Sequence, residues 1–219
     1  MAINSKIVLI IGALWLIGCQ HIPDSQPWPG GRIPFTMAGF TVEETAAIFV
    51  AMKTWEAAAD NKISFILMDE HYGPTTTEPL YLIHNNEYMG AKWTGYNQNS
   101  INFILINSFR QGDLLHEFGH VLGLIHEICR PDRDYYMAVA VDKIIDPLVR
   151  SQFYYMDPVL YDYLKYPFDY QSLMMYSEAA FPGIIDAHGQ ILGSETISWI
   201  DAWKVRDIYS GEAENRNDR

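Results

Sequence analysis

The sequence has few cysteines and few basic residues, and each shortage excludes a class of protein. Its 219 residues contain two cysteines, Cys19 and Cys129, and neither has the paired spacing of a thiolate metal site. Lys and Arg number 15 against 27 Asp and Glu, which gives a formal net charge of -12. A chain this acidic, without a basic stripe, repels nucleic acid. We therefore expect one globular domain that binds no nucleic acid.

Long apolar runs are also scarce, and the one near the N-terminus is short. Residues 7–17 are apolar except for Gly12, and Lys6 supplies a positive charge before them. As a helix, this run would rise about 17 Å against a hydrocarbon core of about 30 Å. It is therefore too short to span a membrane and is typical of a secretion signal.

The run ends in a sequence that resembles the bacterial lipobox, Leu16-Ile17-Gly18-Cys19. The resemblance implies a signal peptide over residues 1–18, a lipid on Cys19 and an exported protein held on a membrane. Because Gln20 and not Asp follows, it also implies the outer membrane or cell surface if the source is a diderm bacterium. The alternatives are an uncleaved anchor helix and ordinary cleavage beside a chance cysteine.

The rest of the chain predicts an α+β protein. Thr41 and Glu44 form a capping box before a helix over 42–59, and Asp113 is a candidate cap for a helix through 122. Strands, helices and flanking segments complete the prediction: strands over 32–37, 63–68, 80–84 and 101–106; helices over 143–153 and 199–209; a tether over 19–27, a catalytic domain over 28–210 and a polar tail over 211–219.

A metal site is predicted over residues 116–126. His116 and His120 are four residues apart, which places both imidazoles on one face of a helix. Gly123 can take the positive φ at which a helix ends, so that the reversing chain presents His126. Three nitrogens leave a fourth position for water, and Glu117 can act on that water as a general base. A solvated helix face is the alternative for the first pair, but the full spacing favours one Zn²⁺ per chain.

The segments around this site resemble the astacins, a family of metzincin zinc peptidases. Glu127 follows the third histidine and precedes R-x-D-R-D over 130–134. Residues 168–176, FDYQSLMMY, resemble the family's Met-turn, and residues 28–35 resemble the start of its mature domain. The similarity extends over residues 28–209.

The resemblance implies a fold and several residue roles. It implies an N-terminal subdomain with a twisted, mostly mixed sheet and two long helices, and a C-terminal subdomain that is largely irregular and ends in a helix. The boundary would lie near residue 126, with the active-site cleft between the two subdomains. Met174 would form an apolar floor below the histidines, and Tyr176 would bind the zinc and later contact the reaction intermediate. Glu127, which often contacts a cut N-terminus in the family, is expected here to be a structural acceptor.

We therefore expect a zinc endopeptidase that binds a protein or peptide, with the strand over 101–106 as the edge that pairs with substrate. The sequence departs from the family at Lys62, where a half-cystine is expected, and at Met175, which replaces a histidine. Two alternatives are a zinc hydrolase of cell-wall peptides and a non-catalytic surface binding lipoprotein on the same fold.

Overall fold

The computed structural model describes residues 25–68, 77–177 and 180–211 of the chain. The predicted signal peptide, Cys19 and nearly all of the polar tail lie outside these residues. In the described part, no helix is both long enough and apolar enough to cross a membrane.

The domain begins before the point that the sequence indicates. Ser25–Gln26 of the expected tether form strand β1, which pairs antiparallel with β6, Tyr96–Asn97. Trp28 explains this start, because its side chain is 0% exposed and its Nε1 donates to the carbonyl of Val121 at 2.9 Å. The indole also packs against the ring of Tyr96 in β6, with centroids 4.8 Å apart, so the residues just before it lie beside that strand.

The first half of the chain forms a mixed five-stranded sheet in the order β3-β2-β4-β7-β5. Its first four strands are parallel, and β5 runs antiparallel to β7 at one edge. The strands are β2 (Arg32–Ala38), β3 (Ser64–Leu67), β4 (Leu80–His84), β5 (Gly90–Ala91) and β7 (Asn102–Ile106). All residues of β7 are buried, as expected of an interior strand in a parallel sheet.

The prediction that residues 101–106 form the edge of the sheet is wrong. β7 has β4 on one side and β5 on the other, so the two-residue β5 is the edge strand. A segment as short as Gly90–Ala91 has no alternating pattern that would reveal a strand in the sequence.

Two long helices pack against the sheet. Helix α1, Val42–Ala58, begins at the predicted capping box, and helix α2, Gln111–Val121, carries the first two histidines. Nε1 of Trp55 on α1 donates to the carbonyl of Leu115 on α2 at 2.8 Å, which fixes the two helices together. The N-cap of α2 is Arg110, so Asp113 does not cap this helix. The carboxylate of Asp113 instead accepts a hydrogen bond from Oγ of Ser108.

The second half of the chain has little regular structure. Strands β8 (Ala138–Val139) and β9 (Ile185–Asp186) pair antiparallel, and helix α4, Trp199–Ile208, starts at a capping box formed by Ser198 and Asp201. The helix expected over 143–153 is only Pro147–Ser151, named α3. Proline at its first position explains the late start, because the ring is tolerated at N1 and not inside a helix.

Candidate metal centre

The three predicted ligand histidines come together at α2 and the loop after it. Nε2 of His126 lies 3.0 Å from Nε2 of His116 and 3.1 Å from Nε2 of His120. Tetrahedral zinc with bonds of about 2.0–2.1 Å separates its nitrogen ligands by about 3.3 Å. Within the described residues, these side chains form the group that can hold a metal ion.

Hydrogen bonds fix which nitrogen carries the proton in the two helix histidines. Nδ1 of His116 lies 2.9 Å from the carbonyl oxygen of Leu173, and Nδ1 of His120 lies 2.8 Å from that of Leu124. A carbonyl oxygen only accepts, so each Nδ1 donates and each Nε2 keeps a lone pair.

His126 is fixed in the same way by a side chain. Its Nδ1 lies 2.9 Å from the hydroxyl of Tyr176, and this hydroxyl donates to Oε1 of Gln152 at 2.9 Å. The hydroxyl proton is thereby used, so the Tyr176 oxygen accepts from Nδ1 of His126. All three Nε2 lone pairs therefore face one another without a proton between them, an arrangement that a cation stabilises.

Burial keeps the rings of His120 and His126 neutral, which is the form that binds a metal. Burial and the neighbouring His116 lower the pKa of His120 to about 3. Burial, together with His120 and His116, also lowers the pKa of His126 well below its ordinary value. Protons therefore compete poorly with a metal ion for the Nε2 atoms of His120 and His126.

Gly123 makes the chain reversal that brings His126 to α2. Its φ is +107°. The N–H of Gly123 donates to the carbonyl of His120 at 2.9 Å, and the N–H of Leu124 donates to the carbonyl of Gly119 at 2.9 Å. These two bonds form a Schellman motif, which satisfies the last carbonyls of the helix. The prediction of a positive φ at Gly123 is confirmed.

Replacing Gly123 with Ala should destabilise the protein by about 2 kcal/mol or more, because strain and a clash add. A Cβ at this position would lie 2.5 Å from Cδ1 of Leu160. Gly189→Ala is the matched control, since Gly189 has φ +85° and no atom within 4 Å of its Cβ position. Urea unfolding of both variants measures the difference, and equal losses would contradict this account of Gly123.

The Met-turn contacts both segments that carry the histidines. Met174 is 1% exposed, and a Cβ on Gly119 of α2 would lie 2.6 Å from its Sδ, so the thioether packs directly on the helix backbone. The carbonyl of Met174 also accepts from the N–H of Glu127 at 2.9 Å. Met174 therefore lies where the resemblance implies an apolar floor.

The Glu117 carboxylate is bound to the edge strand of the sheet and lines the same cavity as the three histidines. Its Oε2 accepts from the N–H of Ala91 in β5 at 2.8 Å. Burial raises the pKa of Glu117 above its usual value, while His116 and the Ala91 N–H act in the opposite direction. A raised pKa brings a carboxylate closer to the value that suits a general base near neutral pH.

Tyr176 does not occupy the ligand position that the resemblance implies. Its hydroxyl lies at Nδ1 of His126, on the opposite side of the ring from the Nε2 atoms. Gln152 accepts its proton, and the rings of Phe153 and Phe181 pack against it with centroids 5.4 and 5.2 Å away. These contacts explain the position, and neither Gln152 nor the two phenylalanines were singled out from the sequence.

Glu127 is a fully buried acceptor of several hydrogen bonds. Its carboxylate is 0% exposed and accepts from Nζ of Lys204 at 2.5 Å, Nη1 of Arg130 at 2.8 Å and the N–H of Asp169 at 3.0 Å. Lys204, on α4, is 2% exposed. No local pattern links it to a residue 77 positions earlier, so sequence reasoning missed it.

Two cavities meet at this centre. One of about 530 Å³ extends past Arg110 and Glu195, which form an exposed ion pair, and the other of about 260 Å³ extends along β5. Both are lined by Met89, His116, Glu117 and Tyr176. The metal centre therefore lies where the two cavities adjoin, in one continuous cleft.

Comparisons with known proteins agree with this geometry. The family model of the astacin peptidases matches residues 20–209. Tolloid-like protein 1 of Mus musculus is 32% identical over 155 residues, which cover 70% of this chain and 15% of that protein. Astacin-like metalloprotease toxin 2 of Loxosceles intermedia is 45% identical over 69 residues, 32% of this chain and 26% of the relative. The chain thus spans only a minor part of these relatives.

A solved structure supports the fold. High choriolytic enzyme 1, a hatching-enzyme zinc protease of Oryzias latipes, matches with a TM-score of 0.70 at 22% identity, over 89% of this chain and 98% of that one. The fold expected from the sequence, a mixed sheet with two long helices followed by an irregular half, is confirmed. The chain belongs to the astacin family of peptidases, whose members depend on zinc.

Proposed function

We propose that this chain is a zinc endopeptidase that hydrolyses internal bonds of a protein or peptide. The observation that carries the proposal is the convergence of three Nε2 lone pairs beside Glu117 in a continuous cleft. His116, His120 and His126 would hold the ion. Membership in the astacin family supports the same reaction class.

Glu117 is the residue that moves the proton. Zinc, when bound, polarises the scissile carbonyl and lowers the pKa of water to about 7. The Glu117 carboxylate takes the proton of the attacking water and passes it to the leaving amine. The N–H of Ala91 holds this carboxylate in one orientation, which keeps Oε1 available for the proton.

Tyr176 is proposed to stabilise the negative charge that develops on the carbonyl oxygen. Its side chain lines both cavities and therefore borders the cleft in which we place the substrate. To donate to the substrate, this hydroxyl gives up its bond to Oε1 of Gln152. A donor aimed at the developing oxyanion typically contributes about 10²–10³-fold to kcat.

The substrate is proposed to pair with the outer edge of β5. Gly90 and Ala91 bond to β7 on one side and line the smaller cavity on the other. An extended peptide can therefore add to the sheet as a further strand through backbone groups of β5 other than the Ala91 N–H, which donates to Glu117. The edge strand lies directly beside Glu117, so an added strand would pass the metal centre.

A comparison of substrates tests this function against its two alternatives. The purified protein should cleave casein and a mixed peptide library, and a zinc chelator should stop the reaction. Cleavage of purified peptidoglycan without cleavage of casein would favour a cell-wall hydrolase. Binding of peptides without any cleavage would favour the non-catalytic lipoprotein.

We also propose that a lipid on Cys19 anchors the exported protein to a membrane. The proposal rests on the apolar run over 7–17 and the lipobox-like residues that follow it. Cys19→Ser should move the protein from the membrane fraction to the soluble fraction. Retention of this variant in the membrane fraction would contradict the lipid anchor.

A further inference from the structure

The two cavities that adjoin at the metal centre are lined by charged side chains of opposite sign. We infer that the cleft selects its substrate by charge on both sides of the bond that is cut: Lys92 in the smaller cavity takes an acidic side chain, and Asp113 in the larger cavity takes a basic one. This inference names the substrate class of the proposed peptidase and therefore rests on that function.

Lys92 carries the positive charge of the smaller cavity. It follows Ala91 of β5, and its N–H donates to the carbonyl of Phe103 at 2.9 Å, so it continues the edge to which the substrate is proposed to add. Its Nζ donates to Oγ of Ser100 at 3.2 Å. The same Nζ lies 4.7 Å from the ring centroid of Trp93 and 5.3 Å from that of Phe103. One hydroxyl and two rings thus hold the ammonium group, and none of them carries a negative charge.

The ammonium group of Lys92 has the capacity to bind a carboxylate. It has three N–H donors, of which Ser100 accepts one, and no carboxylate among the described residues pairs with it. Burial lowers the pKa of Lys92, because loss of water destabilises the charged form. An acidic side chain of a substrate would replace the lost water and stabilise that form.

Asp113 gives the larger cavity a charge of the opposite sign. It lies in the first turn of α2, three residues before His116 and four before Glu117, so it shares their side of the helix. Its carboxylate accepts from Oγ of Ser108, and no lysine or arginine of the described ranges pairs with it. A carboxylate has about four acceptor sites, so a basic side chain of a substrate can bind the remainder.

The other charges that line the larger cavity do not change this sign. Arg110 and Glu195 form an exposed ion pair with each other. Glu117 lines both cavities, and its carboxylate is bound to the N–H of Ala91. An extended peptide that crosses the metal centre therefore meets a positive charge on one side of the scissile bond and a negative charge on the other.

Two peptides of the same composition test the inference. Both contain one Glu and one Lys on opposite sides of a single cleavable bond, at one to three residues from it, and they differ only in the order of these two residues. Their ends are blocked, so that no terminal carboxylate or amine takes part. We expect the natural protein to cleave one order with a kcat/KM about 25-fold above that of the other, since an accessible ion pair contributes up to about fivefold and two separate pairs combine.

Variants of the two charged residues show whether they set this preference. Lys92→Met keeps the apolar stem over the rings, and Asp113→Asn keeps an acceptor for Ser108. Each should lower the ratio between the two orders about fivefold, the upper end for an accessible ion pair. Lys92→Arg should retain the ratio. Lys53→Met is the matched control, because Lys53 is 69% exposed, pairs with Glu56 on α1 and lines neither cavity.

The outcomes separate this inference from the proposed function. If the natural protein cleaves both orders equally well, the inference is overturned and the peptidase assignment stands. A preference that is as strong in Lys92→Met and Asp113→Asn as in Lys53→Met also overturns it, because other charges would then set the order. If no peptide is cleaved, the proposed function fails. Fluorescence anisotropy of the same two peptides, labelled, then decides the inference, and equal affinities overturn it.

Discussion

Glu117→Gln should lower kcat/KM for peptide hydrolysis by about 10²–10⁴-fold, the range expected when a general base is removed. The amide cannot take a proton from water, but it has the shape of the carboxylate. Its oxygen can still accept from the N–H of Ala91, so we expect the fold and the zinc content to be unchanged. Initial rates on a quenched fluorescent peptide and metal analysis of the same sample measure both effects.

Glu195→Gln is the matched control for this variant. Glu195 lines the larger cavity and pairs with Arg110 in an exposed position, so it undergoes the same chemical change in the same cleft. Its kcat should remain near that of the natural protein. A Glu117→Gln enzyme that works as fast as this control would remove Glu117 from the mechanism.

Lys204→Met should lower the free energy of unfolding by about 3 kcal/mol, because it leaves a buried carboxylate without one of its charge partners. The side chains of Lys204 and Glu127 are 2% and 0% exposed, and Nζ of Lys204 lies 2.5 Å from Oε2 of Glu127. Arg130 continues to bond to Glu127, which places the expected loss at the lower end for a broken buried pair. Urea unfolding, followed by fluorescence, measures the change.

Two further variants show whether the loss comes from the pair. Lys165→Met breaks an ion pair with Asp207 in which Lys165 is 53% exposed, and such pairs contribute about 0–1 kcal/mol. Glu127→Gln combined with Lys204→Met should recover part of the stability, since no uncompensated charge remains. If Lys204→Met lowers the free energy of unfolding no more than Lys165→Met does, the buried pair between Lys204 and Glu127 does not stabilise the fold as argued.

The buried pair also answers a question that the sequence raised about Glu127. The family resemblance associates this acid with a cut N-terminus, whereas here its ammonium partner is the side chain of Lys204 on α4. The carboxylate already has three donors, from Lys204, Arg130 and Asp169. All three donors belong to the chain itself, and none of them is a cut N-terminus.

The sequence predicted the parts of this protein that depend on local spacing. Two histidines four residues apart, followed by a glycine at a positive φ, determine a helix, its end and the return of the chain within eleven residues. The capping box at Thr41 and Glu44 similarly located the start of α1. Met174 could be assigned only through the family resemblance, because a buried methionine alone indicates packing.

The parts that the sequence did not predict depend on contacts between distant segments. β5 is two residues long and exists because β7 offers it hydrogen bonds, so no local pattern reveals the true edge of the sheet. Gln152 lies 24 residues before Tyr176, and the hydrogen bond between them depends on where the folded chain places both side chains. Tyr176 was assigned to the zinc by resemblance, and the acceptor at Gln152 explains why it lies elsewhere.

Metal analysis of the purified protein tests the central claim most directly, namely that three imidazole nitrogens hold one zinc ion. We expect one zinc per chain, loss of peptide hydrolysis on chelation and its return when zinc is added. His126→Ala should bind zinc far more weakly while keeping its helices. A natural protein without bound metal, or a His126→Ala variant that retains zinc equally well, would contradict the account.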